Sequence, residues 1–303
     1  MTTAPARTGF APVAAVMVAA QAVFCLNDGF VKAITAEVSA IQYGVLRAGF
    51  IFVFLCIGAL IFTGMRARPV KLLPVLARSG FQACSMLLQI FALSLLPLST
   101  AAVCFYTFPL FSTLLSALVM RERVSRMQVG AVVLGLLGAV LIIGPARAEG
   151  LALVLPFAAA FCYAASVLVT HYHCKEEQPV ALVRTQALVA LCVAGVALAV
   201  VPAAAGGTWV SMPLELWGAV ALVGVASIGS GFLLVWVYQR AAPPDLAPFS
   251  YTYLLWVMLL DFAAWGHLPR PAALLGSVLI ALGGIMVLRE GRKLTRRFNQ
   301  PLR

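Results

Sequence analysis

Charge is what this sequence has least of. Only 10% of its 303 residues are Asp, Glu, Lys or Arg, while 63% are hydrophobic. A soluble domain carries roughly 25% charged residues. No soluble core can hide so much apolar surface, so the solvent of this chain is expected to be lipid. Apolar residues come in runs rather than in apolar–polar alternation, which excludes a transmembrane β-barrel. Long polar segments are missing too, so no soluble domain fits between the runs. That argues against a receptor or scaffold with a large extramembrane surface.

Other absences narrow the chemistry. There are three histidines and ten acidic residues, and no spacing assembles a nucleophile with a base or an acid–base pair. We therefore expect no enzyme and no cofactor. The Gly-x-x-x-x-Gly-Lys-[Ser/Thr] loop of nucleotide-driven machines does not occur. Seven cysteines show no Cys-x-x-Cys spacing, and six sit inside apolar runs, where a thiol acts as a small hydrophobe. His171-Tyr-His173-Cys174 has ligand-type residues, but no second cluster completes a zinc site, so no metal is expected. The net charge of +11 reads as helix flanks on one membrane face rather than as a nucleic-acid surface. The tail at 1–9 is too short and polar to be a cleavable signal.

What is present is ten apolar runs of near-membrane length, about 10–32, 41–63, 72–95, 98–119, 127–145, 150–171, 181–202, 213–238, 246–264 and 270–288. Pro69, Pro97, Pro145, Pro179, Pro202, the pair Pro243-Pro244 and the pair Pro269 and Pro271 separate them. With the N-terminus inside, 17 Lys and Arg fall on the inner side and 3 on the outer. The positive-inside rule then puts both ends in the cytoplasm of a multi-pass protein of the inner (plasma) membrane.

One stretch occurs twice. Residues 91–138 slide onto 237–284 without a gap, so that Pro97 falls on Pro243, Gly130 on Gly276 and Gly138 on Gly284. Five spans separate the copies, an odd number, so the second copy is upside down. The expected architecture is all-α: ten transmembrane helices as two inverted five-helix repeats, at 10–145 and 150–288, with a basic tail at 289–303. Inverted repeats provide two similar arrangements, one open to each side, as secondary transporters use. The repeated glycines of spans 5 and 10 read as close-packing faces, a scaffold or a homodimer contact.

The order of these features resembles the drug/metabolite transporter superfamily, in its EamA-type branch. The resemblance rests on the Leu-Pro-x-x-x-Ala start of span 4, Phe108-Pro109 within it, Glu122-Arg123 after it, and the Gly-rich span 5. It departs at His267, where the second half has no counterpart of Glu122. Asn27-Asp28-x-x-x-Lys32 and Arg47 are similar to the subset with S-adenosylmethionine and riboflavin carriers. The resemblance implies a central cavity lined by both halves.

Ionisable groups inside a membrane cost at least ~2.5–3.5 kcal/mol each at mid-helix, so each needs a reason. Asp28 and Lys32 share a face of span 1. Arg47 lies at a similar depth, ~9 Å from the outer surface. Two roles stay open: Arg47 binding a substrate carboxylate or phosphate with Asp28 as counter-ion or coupling-proton carrier, or a structural ion pair with Lys32 snorkelling. Gln82, Tyr106, Tyr163 and Gln186 are the uncharged candidates for the wall. Around Trp236, Tyr238, Phe249, Tyr251 and Tyr253 an interfacial belt competes with a stacking wall, and Trp256 is the best aromatic candidate for substrate. Asp261 reads as a polar cap near the outer interface. The expected function is secondary-active transport of a small organic solute across the bilayer by alternating access. The alternatives are a membrane scaffold or receptor and, behind it, a membrane enzyme.

Overall fold

The computed structural model describes residues 10–35, 37–62, 64, 66–95, 104–121, 124–143, 150–201, 209–265 and 271–298. Its described residues form helices and connections, with no strand. In chain order they are α1 (Phe10–Thr35), α2 (Ala40–Ile61), α3 (Leu72–Leu95), α4 (Phe108–Leu118), α5 (Arg126–Ile143), α6 (Val154–His173), α7 (Pro179–Val200), α8 (Leu214–Arg240), α9 (Pro243–Ser250), α10 (Thr252–Trp265) and α11 (Pro271–Phe298). Six of them, α1, α2, α3, α6, α7 and α8, are long and apolar enough to cross a bilayer. The apolar stretches of α4, α5 and α11 are shorter.

The helix starts follow from local chemistry. Pro109, Pro179 and Pro243 stand in the first turns of α4, α7 and α9, where a missing N–H costs nothing. Ser39 caps α2 by accepting from the Gln42 amide. Ser125 and Gln128 form a reciprocal capping box at α5, the hydroxyl accepting one amide and the carboxamide the other.

Two expected spans are not continuous helices. In span 4 a turn at Tyr106-Thr107 precedes α4, and span 9 breaks at Tyr251 into α9 and α10. Pro248 removes a ladder donor just before the second break. The breaks are built alike: Thr107 donates to the Cys104 carbonyl at 2.6 Å, and Thr252 donates to the Phe249 carbonyl at 2.7 Å. The last helix also runs past 288 to Phe298, taking in most of the expected tail.

Packing repeats across the halves. α3 packs on α6 and α7, while α8 packs on α1 and α2; α4 packs on α6, while α9 and α10 pack on α1. α2 meets α7 and α5 meets α11, each pair being a helix and its own copy, and α4 of span 4 meets α9 of span 9, the span that repeats it. Exchanging the halves maps this arrangement onto itself. α5 and α11 run antiparallel, since a Cβ added at Gly138 would lie 2.5 Å from the Gly276 carbonyl oxygen and one at Gly283 would lie 2.9 Å from that of Ala131. Seven residues up one helix is seven down the other. Only glycine permits that approach of backbones.

The solvent preference is inverted relative to a soluble protein. Gln42, Asn27, Ser85, Ser166 and Thr170 are buried, while Leu60, Leu73, Leu214 and Val200 are exposed. This is the surface of a multi-pass membrane protein.

Candidate functional site

A cavity of about 1020 Å³ runs between the two halves. It reaches the connection between α1 and α2, where Thr35, Val38 and Ser39 line it, and ends at Arg78, Thr170 and Tyr238. Beyond that end, Met17, Tyr238, Leu246 and Phe249 pack into an apolar plug, with Phe10 edge-on to Phe249 at 6.0 Å.

One wall is a polar stripe on α3. Arg78, Gln82, Ser85 and Gln89 recur at helical spacing and all line the cavity. Gln82 accepts from Ser166 at 3.0 Å, and Ser85 donates to the Ala159 carbonyl at 2.8 Å, so α6 backs the stripe. The carboxamide oxygen of Gln89 is buried without a partner.

Another wall is aromatic. Tyr106 and Tyr253 stack at 4.8 Å where the two helix breaks meet, and Phe24 lies 5.9 Å from Tyr253. Tyr253 also donates its hydroxyl to Asp28 at 2.8 Å. Stacked rings give a rigid face at little entropic cost.

Asp28 and Arg47 both line the cavity but do not pair with each other. Arg47 donates through Nε to Ser227 at 3.1 Å and meets the Met86 thioether at 3.8 Å. The Ser227 hydroxyl also accepts from Asn27 at 2.9 Å and donates to the Val223 carbonyl at 2.6 Å. The direct ion pair between helices 1 and 2 is thus replaced by a hub of neutral groups. Gln82, Tyr106, Tyr163 and Gln186 line the same cavity. Trp256 is not among the lining residues: its indole N–H donates to the Val18 carbonyl at 3.2 Å and ties α10 to α1. The side chains of Lys32 and Asp261, and residues Glu122, Arg123 and His267, lie outside the described residues.

The face that carries the 66–71 and 174–178 connections and the start of α9 is tied by polar contacts. Glu177, 3% exposed, accepts the backbone amides of Val70 and Lys71, the latter at 2.6 Å, at the start of α3. Gln239 donates to the carbonyls of Cys174 and Glu177, and Gln128 to Asp245 at 2.6 Å. His171 faces the Tyr238 carbonyl at 2.8 Å. Burial holds the Cys174 thiol up at about 11.

An EamA-like transporter family model matches residues 11–144 and again 150–289, one copy per half. The chain belongs to the EamA-like transporter family. This EamA-type member of the drug/metabolite transporter superfamily is similar in fold to a crystal structure with 18% sequence identity and a TM-score of 0.76. That likeness covers 93% of this chain and 97% of the other. No curated protein matches the chain in sequence.

Two features escape a reading of this family member from sequence. Arg78 reads as an inner flank after Arg66, Arg68 and Lys71, yet it is 6% exposed and lines the cavity. The heptad spacing of Gln82 and Gln89, extended one turn back, points to it. The belt reading of Tyr238, Phe249, Tyr251 and Tyr253 is overturned, since all four are buried. The Pro248 break brings Tyr253 to Asp28, which a straight span does not.

Proposed function

We propose that this chain is a secondary-active carrier of a small organic solute bearing an anionic group, working by alternating access. One observation carries the reading: Arg47 stands in a large cavity between two inverted halves with only neutral partners. A half-buried guanidinium with unused N–H groups favours a carboxylate or phosphate, which it can bind bidentately. Asp28, beside it in the cavity and held by Tyr253, serves as counter-ion and as the carrier of a coupling proton. The aromatic wall receives the apolar body of the solute.

In this reading the ten spans lie in the inner (plasma) membrane with both ends cytoplasmic. The cavity then communicates with the outer side, and the plug of Met17, Tyr238, Leu246 and Phe249 closes the inner side. Rocking of the halves about the midplane breaks the contacts of Glu177 with Val70 and Lys71 and of Gln128 with Asp245, and opens the other mouth. Purified protein in vesicles, screened with labelled organic acids, tests the assignment. Arg47→Ala and Asp28→Asn are expected to lose uptake by tenfold or more, and normal uptake by both variants contradicts the site.

A further inference from the structure

Among the described residues three charged side chains line the cavity, Asp28, Arg47 and Arg78, two cations and one anion. Asp28 is engaged by Tyr253. Arg78 is the most enclosed of the three cavity charges in its contacts: Nε donates to Thr170 Oγ1 at 3.1 Å and an Nη to the Leu182 carbonyl at 3.2 Å. Both partners are neutral, and among the described residues no carboxylate lies within ion-pair distance of either arginine. A guanidinium has five N–H donors, so more than half of those on Arg78 have no such partner. Burying a lone cation is costly unless something completes it.

The two cations sit at different levels. Arg47 touches Met86 on α3. Arg78 is eight residues earlier on the same helix, about 12 Å along its axis at the rise of an α-helix. Gln82 lies between them, with its carboxamide oxygen already committed to Ser166.

Building on the reading of Arg47 above, we infer that Arg78 is a second anion-binding point, and that the substrate class is an elongated organic solute with an anionic group at each end. Its two terminal groups, carboxylate or phosphate, engage Arg47 near the outer mouth and Arg78 at the cavity floor. The apolar body spans the Tyr106–Tyr253 wall. Such a ligand leaves neither cation unpaired and bridges helices of both halves.

Binding to the full chain in lipid nanodiscs tests this with four probes: sebacate, its monoamide, octane-1,8-bisphosphate and octyl phosphate. The member of one pair with two anionic ends is expected to bind at least tenfold tighter than its partner with one, and the pair with the larger ratio identifies the terminal group. Arg78→Gln should erase the ratio by weakening the probes with two anionic ends, whereas Arg47→Gln should weaken all four. A ratio that survives Arg78→Gln overturns the inference. Equal binding of probes with one and with two anionic ends to the unaltered protein, still sensitive to Arg47→Gln, overturns it alone and leaves the Arg47 reading standing. Failure of all four probes to bind overturns both. If Arg78→Gln does not fold, the absence of a ratio in the unaltered protein still overturns the inference, and Arg78→Lys, which keeps the charge, should retain it.

Discussion

Arg47 donates to Ser227 at 3.1 Å, and the same hydroxyl accepts from Asn27 at 2.9 Å. One oxygen thus holds α1 and α2 against α8, that is, one half of the molecule against the other. Ser227→Ala leaves two donors without their shared acceptor. Losing a buried acceptor costs ~1–3 kcal/mol, so a lower melting temperature is expected together with a roughly tenfold or greater loss of anion affinity. Thermal unfolding and equilibrium binding on one preparation check both.

The Tyr253 side chain has two separable roles. Tyr253→Phe keeps the stack on Tyr106 and removes the hydroxyl from Asp28. The protein should fold normally and transport more slowly, since a hydrogen bond to a charged group contributes about 1.5–3 kcal/mol. Tyr253→Ala removes the ring as well and should also weaken solute binding. Initial rates over a range of solute concentrations separate the two effects.

Glu177 caps the start of α3 from the connection between α6 and α7. Glu177→Ala should release that contact and favour the state open on that face. Cys174 reports it: the thiol is fully buried, and burial keeps it protonated up to about 11. The thiolate is the species that alkylates. With the other six cysteines replaced by alanine, maleimide labelling of Cys174 near neutral pH should be slow in the parent and several-fold faster in Glu177→Ala. Unchanged labelling would mean that Glu177 is no part of the closure.

The α5–α11 contact tolerates no added atom at its closest points. A methyl at Gly138 meets the Gly276 carbonyl oxygen of α11 at 2.5 Å as well as the Ile280 side chain at 2.8 Å, and the backbone atom cannot swing away. Gly138→Ala should therefore destabilise the fold by roughly 1–3 kcal/mol, the range for overpacking, with solute affinity in the surviving folded protein unchanged. Unfolding midpoints and binding measured side by side check this.

Much of this was readable from the chain because lipid imposes simple rules. Apolar run length marked the helices, and proline marked where they start. The 146-residue repeat with an odd number of spans implied the antiparallel pairing now seen between Gly138 and Gly276. Asp28, Arg47 and Gln82 stood out because a polar group in a span needs a partner or a cavity. The rest depended on geometry that spacing does not carry. Depth counted along a straight span 9 put Tyr253 at an interface, and the break beside Pro248 moved it to Asp28. A count of flanking charges put Arg78 at the membrane surface, and the orientation of α3 turned it inward. Trp256 looked free to stack, and one backbone carbonyl on α1 occupies it.

Counterflow tests the central claim most directly. Vesicles containing the protein are loaded with an unlabelled organic anion and diluted into the same anion carrying a label. Alternating access predicts saturable uptake, accelerated several-fold by solute on the far side and lost in Arg47→Gln. Uptake that does not saturate, ignores the far side and survives Arg47→Gln would contradict the account.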